Sequence, residues 1–345
     1  MATLLKRHPL KLLAAAVVVY AAAVLYANAM GAEVSIEESP PARGALRPAG
    51  RDVSAMLWNI GYAGLGAESD FVADGGEATL PPSRAVVKKN VAGVTERLKA
   101  ADVDIIMMQE MAKASLMTRG VNVLRAVRKA LKGRHNAFSA DMKARLLPPP
   151  LGPTHGLFTS TRLAGARHET VDLPLEPGRI MGLFKRRYHI QIVRAPIEGG
   201  GEWVFIDLHL SAFDEGANIR LEQLRAVLAY AAAEYEKGGR VVIGGDWNYE
   251  FLNPGRATTT GEEFLFWLHP FPYEELREGW SVVVDSATPT VRTNERPYRK
   301  GENYTTVIDG FIVSPNVEPV SVGAVDLDFQ YTDHQPVVAR FRAKG

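Results

Sequence analysis

The chain has 345 residues, 46% hydrophobic and 23% charged, with 40 basic against 39 acidic side chains and no cysteine. That length and balance bury a full core and exclude a largely disordered polypeptide. The missing thiols exclude disulfides, cysteine metal sites and thiol nucleophiles, and the near-neutral charge argues against strong general affinity for nucleic acid, although a local basic groove stays compatible with it.

Lys6, Arg7 and Lys11 stand at the N-terminus without an acidic residue, and Leu12 to Ala27 is continuously apolar. A basic flank ahead of such a run is an export signal or a membrane anchor. Ala27-Asn28-Ala29 suits cleavage after small residues, whereas continuation of the apolar stretch to Ala32 approaches the ~20 residues of a membrane span. Both outcomes place the large C-terminal portion outside the cytoplasm, so residues 1–32 are assigned as signal peptide or anchor. Setting aside the first 30 residues leaves 37 basic against 39 acidic side chains. Residues 33–50, rich in Pro, Gly, Ala and charge, are expected to form a linker. A single domain is expected over 51–345.

Within the domain, strand-like apolar stretches end on or enclose polar residues. Asp52–Trp58 closes on Asn59 and Val103–Gln109 on Glu110; Trp203–Leu208 closes on His209. Val241-Val242-Ile243 runs into Gly244-Gly245-Asp246-Trp247-Asn248, and Asp309 lies inside Val307–Val313. Tyr331-Thr332-Asp333-His334 precedes the apolar stretch Pro336–Phe341. Residues two apart in an extended segment share a side, so Asp246 and Asn248 can face one target. Strands packed in layers bring such ends to one rim.

Helices are expected from Ser83 as N-cap through Val87, Val91, Val94 and Leu98, through Val121 to Leu131, and through Leu221 to Tyr235 with a stop at Gly238-Gly239. Further strands are expected at Gly156–Ser160, Tyr188–Arg194 and Ser281–Asp285. Alternating strands and helices argue α/β layers. Between Asn59 and Ser83 a glycine-rich insertion, without the spacing of a P-loop, reads as a substrate-selecting flap. The apolar loop Leu146–Leu151 is expected to pack against the domain.

The ordered set Leu57-Trp58-Asn59-Ile60, Asp104–Glu110, Asp207-Leu208-His209-Leu210, Gly245-Asp246-Trp247-Asn248, Ile308-Asp309 and Thr332-Asp333-His334 resembles the endonuclease/exonuclease/phosphatase superfamily. This group of metal-dependent phosphoesterases includes deoxyribonuclease-like and neutral sphingomyelinase-like enzymes. The resemblance spans most of 52–341 and implies a four-layer sandwich of two mixed β-sheets flanked by helices. It further implies a magnesium or manganese ion held by Glu110 with Asn59 and Asp333, and Asp309 orienting His334 and raising its basicity. Asp246 and Asn248 would position water and phosphate. His209 and His334 are the acid/base candidates, since imidazole exchanges protons near neutral pH. Arg186 and Arg187 lie where some members place a phosphate-contacting arginine. A tyrosine that the family uses has no assigned counterpart.

The expected function is hydrolysis of a phosphodiester by metal-assisted attack of water, on a phospholipid or sphingolipid headgroup or on nucleic acid, with inositol phosphates the least suited. The alternative is a binding module that retains the fold without catalysis. Beyond substrate and membrane no partner is implied, and a monomer is expected.

Overall fold

In a computed structural model, residues 9–29, 31, 33–41, 46–148, 150–178, 184–212 and 216–344 are described. In chain order the strands are β1 (Ile36–Ser39), β2 (Asp52–Asn59), β3 (Ile105–Ala112), β4 (His135–Lys143), β5 (Thr154–Thr161), β6 (Arg167–Asp172), β7 (His189–Pro196), β8 (Glu202–His209) and β9 (Arg240–Asp246), then β10 (Tyr249–Glu250), β11 (His269–Pro270), β12 (Ser281–Val283), β13 (Val291–Arg292), β14 (Thr305–Thr306), β15 (Asp309–Val313), β16 (Val317–Ala324) and β17 (Val337–Ala343). A seven-stranded sheet has the order β1-β4-β5-β3-β2-β17-β16 and a six-stranded sheet the order β12-β15-β9-β8-β7-β6. The pairs β2–β3 and β8–β9 are parallel and the other neighbours in both sheets antiparallel, so both sheets are mixed.

Alternation along each strand builds the layers. In β2, Val53, Ala55 and Leu57 face a core shared with Phe205, Val242 and Phe311 of the other sheet, whereas Met56 and Trp58 face the opposite way. There they meet α2 (Arg84–Ala100) and α3 (Val123–Ala130) through Val87, Val94, Leu98, Leu124 and Val127. On the far side of the six-stranded sheet, Ile206 and Ile243 pack on Leu224, Val227 and Ala231 of α4 (Asn218–Glu236). Period-two burial of strands with apolar residues on both faces requires cover on both faces, and the helices supply it. The expected four-layer sandwich is what forms. Ser83 caps α2 by accepting from the Val86 N–H, as its position in the sequence suggests.

The N-terminal region departs from expectation. The linker expected at 33–50 is in part structural: β1 adds to the sheet edge on β4, while Arg47 and Ala49 make isolated bridges to Leu163 and Ile197. A four-residue edge strand has too little alternation to stand out from a Pro- and Gly-rich composition, and its partner lies about a hundred residues away. Ahead of it, α1 (Pro9–Ala29) contains one stretch, Leu10–Ala29, long and apolar enough to cross a membrane. A secretion signal has the same length and composition. Its C-terminal end touches the domain: buried Asn28 donates from Nδ2 to the Arg145 carbonyl and accepts from the Arg145 N–H. The Leu146–Leu151 loop, expected to pack, instead leaves Leu146 and Leu151 exposed, with Tyr20 of the helix hydrogen-bonded to the Leu146 carbonyl.

Candidate active site

Register alone brings the motif residues together. In the six-stranded sheet His209 pairs with Asp246 across β8–β9, and Asp246 pairs with Asp309 across β9–β15. Three polar side chains from three neighbouring strands therefore share one end of the sheet. Gly245 makes the approach possible: a Cβ there would sit 2.1 Å from the Leu208 carbonyl oxygen, and its φ is +149°. In the seven-stranded sheet Asn59 is in register with Gln109, next to Glu110, and ahead of β17 His334 makes an isolated bridge to Val291 of β13. The two ends meet in a cleft lined by Tyr62, Glu110, Arg186, His209, Asp246, Asn248, Asp333 and His334, among others.

Backbone strain collects here. Glu110 sits in a β-bulge, where the β3–β5 register slips between Met108 and Met111, with φ +55°. A bulge turns a side chain out of the regular alternation, and this one delivers Glu110 to the cleft. Tyr62, Ala63 and Asn248 also have positive φ, a conformation that costs on the order of 1–3 kcal/mol in a non-glycine residue and persists where the surroundings enforce it.

The hydrogen bonds assign an orientation to each group. His334 Nδ1 lies 2.9 Å from Asp309 Oδ2, leaving Nε2 3.7 Å from Asp246 Oδ2. Arg186 donates from Nη2 to His209 Nδ1 at 3.0 Å. Because a guanidinium only donates, the neutral His209 ring carries its proton on Nε2, 3.6 Å from Asp246 Oδ2 and 3.9 Å from Glu110 Oε1. Asn248 donates its backbone N–H to Asp246 Oδ1 and its Nδ2 to the Leu210 carbonyl.

Electrostatics separate the two histidines. Burial, then the neighbouring Arg186 cation, pushes His209 down to about 3, so it is neutral. Burial also opposes charge on His334, but Asp309 and Asp246 outweigh it and hold that imidazole well above its ordinary value. Asp246 is held below the ordinary carboxylate range, because His334, His209, Asn59 and the Asn248 N–H together overcome its burial. Glu110 goes the other way. Burial, reinforced by Asp333, raises it to about 8.

Several sequence expectations change at this point. Asn59, expected as a metal ligand, accepts on Oδ1 from the Gly61 N–H at 3.0 Å and donates from Nδ2 to Asp246 Oδ2 at 2.9 Å and Glu110 Oε1 at 3.4 Å. It therefore presents a donor to the carboxylates, an orientation dictated by the Gly61 amide. Of the two arginines, Arg186 lines the cleft, stacked on Tyr188 and bound to Asp141 at 2.7 Å. Arg187 instead pairs with Asp172 at 3.3 Å, outside the cleft lining, since neighbouring residues in an extended segment point to opposite sides. Asp333 accepts from Asn294 Nδ2 at 2.7 Å and from Thr332 at 3.0 Å.

Sequence reasoning missed Tyr62, Asp141, Arg292 and Asn294. Tyr62 follows Asn59 by three residues, which was the available signal for it. It lines the cleft partly exposed, and desolvation of its hydroxyl, with Glu110 next in effect, raises that hydroxyl well above the ordinary value. The insertion supplies part of the lining through Leu65, Phe71 and Asp74. It is pinned by Arg292, which donates to the carbonyls of Leu65, Gly66 and Ser69.

The donor set fits a hard divalent cation. Glu110, Asp246 and Asp333 converge on one cleft, and Glu110 Oε2 is buried without a hydrogen-bond partner. A bare carboxylate oxygen among like charges is what an oxygen-seeking cation relieves. Asp246, Asp309 and His334 also bring ligand-type atoms within 4.8 Å of one another, but Asp309 and His334 are already bonded to each other, so the free oxygen of Glu110 is the better anchor.

A family model described as the Endonuclease/Exonuclease/phosphatase family matches residues 56–334. The chain belongs to the endonuclease/exonuclease/phosphatase family. Members are phosphoesterases, generally dependent on a divalent metal, and the cleft has the groups for that chemistry. Solved structures agree on the fold. An endonuclease/exonuclease/phosphatase from Beutenbergia cavernae is 18% identical, with a TM-score of 0.52 over 86% of this chain and 72% of that one. Truncated Caenorhabditis elegans TDP2 is 15% identical, with 0.55 over 85% and 98%. ANGEL2, titled a 2',3'-cyclic phosphatase, is 13% identical, with 0.54 over 84% and 95%. No curated protein matches the chain.

Proposed function

We propose that this family member is an exported, metal-dependent phosphodiesterase that hydrolyses a phospholipid or sphingolipid headgroup at a membrane surface. The observation that carries the reading is the single cleft in which Glu110, His209, Asp246, Asp333 and His334 converge with Asp309 behind His334. Glu110 and Asp333, with Asp246 beside them, would hold magnesium or manganese, and the bound cation would supply charge neutralisation at the phosphoryl oxygens. Water, oriented by Asp246, bonds to phosphorus and passes its proton to that carboxylate. His334 gives its Nε2 proton to the leaving oxygen as the P–O bond breaks. Losing the His334 charge raises the proton affinity of Asp246 at the same moment, and the proton then crosses the 3.7 Å to His334 Nε2, restoring both groups. Asp309 holds the ring for both transfers. His209, neutral and with its tautomer set by Arg186, donates Nε2–H to a nonbridging oxygen. Of the two acid/base candidates, His334 takes the part of the acid in this reading because its two carboxylate neighbours keep it protonated.

The lipid assignment rests on two features. Among the described residues lining the cleft, the arginines are Arg186 and Arg292, both already engaged, one by Asp141 and the other by backbone carbonyls. A nucleic-acid strand would need a track of available cations. On the domain surface, α1 lies beside the exposed Leu146, and the Lys185 N–H donates to the Asn28 carbonyl immediately before Arg186 enters the cleft. The cleft mouth is thereby tied to the end of the apolar helix, and the insertion would select the headgroup. Turnover of sphingomyelin and phosphatidylcholine vesicles, bis-nitrophenyl phosphate and plasmid DNA, each with and without magnesium, tests the reading. Magnesium-dependent release of a phosphorylated headgroup is expected; cleavage of DNA alone would refute the lipid assignment, and no turnover of any substrate would refute catalysis. Export is checked by protease added to spheroplasts, where digestion of an anchored domain, or a soluble form lacking the apolar run, is expected. An intact N-terminus in the cytosol would contradict it.

A further inference from the structure

At the open edge of the sandwich, far from the cleft residues in sequence, three ligand-type side chains meet from three strands. Glu38 on β1 and His135 on β4 belong to the seven-stranded sheet, and His168 on β6 to the edge of the six-stranded one. Glu38 Oε1 lies 3.1 Å from His168 Nδ1 and 3.8 Å from His135 Nε2. One donor atom from each of the three residues falls within 4.8 Å of the other two. Donors bound to zinc at roughly 2.0–2.1 Å in a tetrahedron stand about 3.3–3.4 Å apart, so the two measured separations bracket that spacing.

The ring arrangement points the same way. The imidazoles meet edge to face with centroids 4.4 Å apart, a contact that places no hydrogen bond between them. The His168 side chain is fully buried, and its Nε2 has no hydrogen-bond partner. Nδ1 is then the atom through which the ring is held. Glu38, by contrast, is half exposed, which leaves an entry path and room for water as a fourth ligand.

We propose that Glu38, His135 and His168 form a structural site for zinc or a similar borderline cation, which pins β1 and both sheets together where the chain leaves the apolar helix. Two imidazoles and one carboxylate suit zinc, whereas magnesium prefers an all-oxygen shell, so the edge and the cleft would take different metals. The metal would add a link between the two sheets near the His189–Ser139 hydrogen bond that already joins β7 to β4.

The test is a zinc titration of the full chain by calorimetry in millimolar magnesium, repeated with cobalt to read its visible d–d bands. Wild type is expected to take up one equivalent of zinc, with a rise of several degrees in Tm. His168→Ala and, as a milder surface change that should not impair folding, Glu38→Gln are expected to weaken that equivalent at least about tenfold, while magnesium-dependent turnover stays unchanged. Zinc binding that survives in both variants, or that disappears in Glu110→Gln and not in Glu38→Gln, would overturn the site.

Discussion

Two acids, Asp104 just before β3 and Glu110 toward its far end, are built for opposite purposes. Asp104 accepts from the Ser54 N–H at 3.0 Å and the Ser54 hydroxyl at 3.1 Å, and from Arg162 Nε at 3.0 Å, with Arg47 also bound. Burial works against its charge, but Ser54, Arg162 and Arg47 outweigh that and hold it below the usual range. Near the other end, Glu110 has a left-handed backbone, an oxygen without a partner, and a proton affinity raised by burial and Asp333. One acid is satisfied and ties strands together. The other is left unsatisfied, which is the condition for binding something the chain does not itself provide.

Substitution separates these roles. The largest expected effect is on turnover: Asp246→Asn and Glu110→Gln should each lower kcat by about a thousandfold or more, without loss of stability, because each removes a group used at the reacting phosphate. A loss below about tenfold, roughly 1.4 kcal/mol of barrier, would remove that residue from the chemistry. Next, Asp309→Asn should lower kcat by about a hundredfold or more and move the alkaline limb of the kcat/KM profile to lower pH. The sign comes from Asp309 raising His334: without the carboxylate, His334 loses its proton at lower pH. An unmoved alkaline limb would show that His334 is not the proton donor. Asp104→Asn is expected to leave kcat intact and destabilise the fold by about 2 kcal/mol at neutral pH. Since its folded-state value is depressed, the stability Asp104 supplies is complete above the ordinary aspartate value of about 3.9 and fades as pH falls through the lower folded value. Urea titrations at pH 7 and pH 3 should therefore show the variant and wild type converging in acid.

Legibility in the sequence divides along the same line. Glu110, His209, Asp246 and Asp309 were legible because strand ends are short-range patterns, an apolar run capped by a polar residue, and their convergence is a matter of register. Which way Asn59 turns its amide was not legible, since the Gly61 N–H decides it. Choosing Arg186 over Arg187 required the β4 partner Asp141, 45 residues away. Tyr62, Arg292 and Asn294 lie in or beside irregular segments where periodicity gives no signal. The edge strand β1 was hidden because four residues of mixed polarity gain their structure only from β4.

The central claim, that the Glu110 end of β3 awaits a divalent cation, is tested most directly by thermal unfolding with and without magnesium at pH 5 and pH 8, in wild type and Glu110→Gln. A carboxyl raised from 4.5 to about 8 makes the folded metal-free protein hold a proton the unfolded chain gives up, so stability should fall as pH climbs through that window. The account predicts that magnesium raises the Tm of wild type more at pH 8 than at pH 5, and that Glu110→Gln abolishes the magnesium effect and lessens the pH dependence, the remainder belonging to Asp74, Asp309 and the two histidines. Equal stabilisation of the variant by magnesium at pH 8 would contradict it.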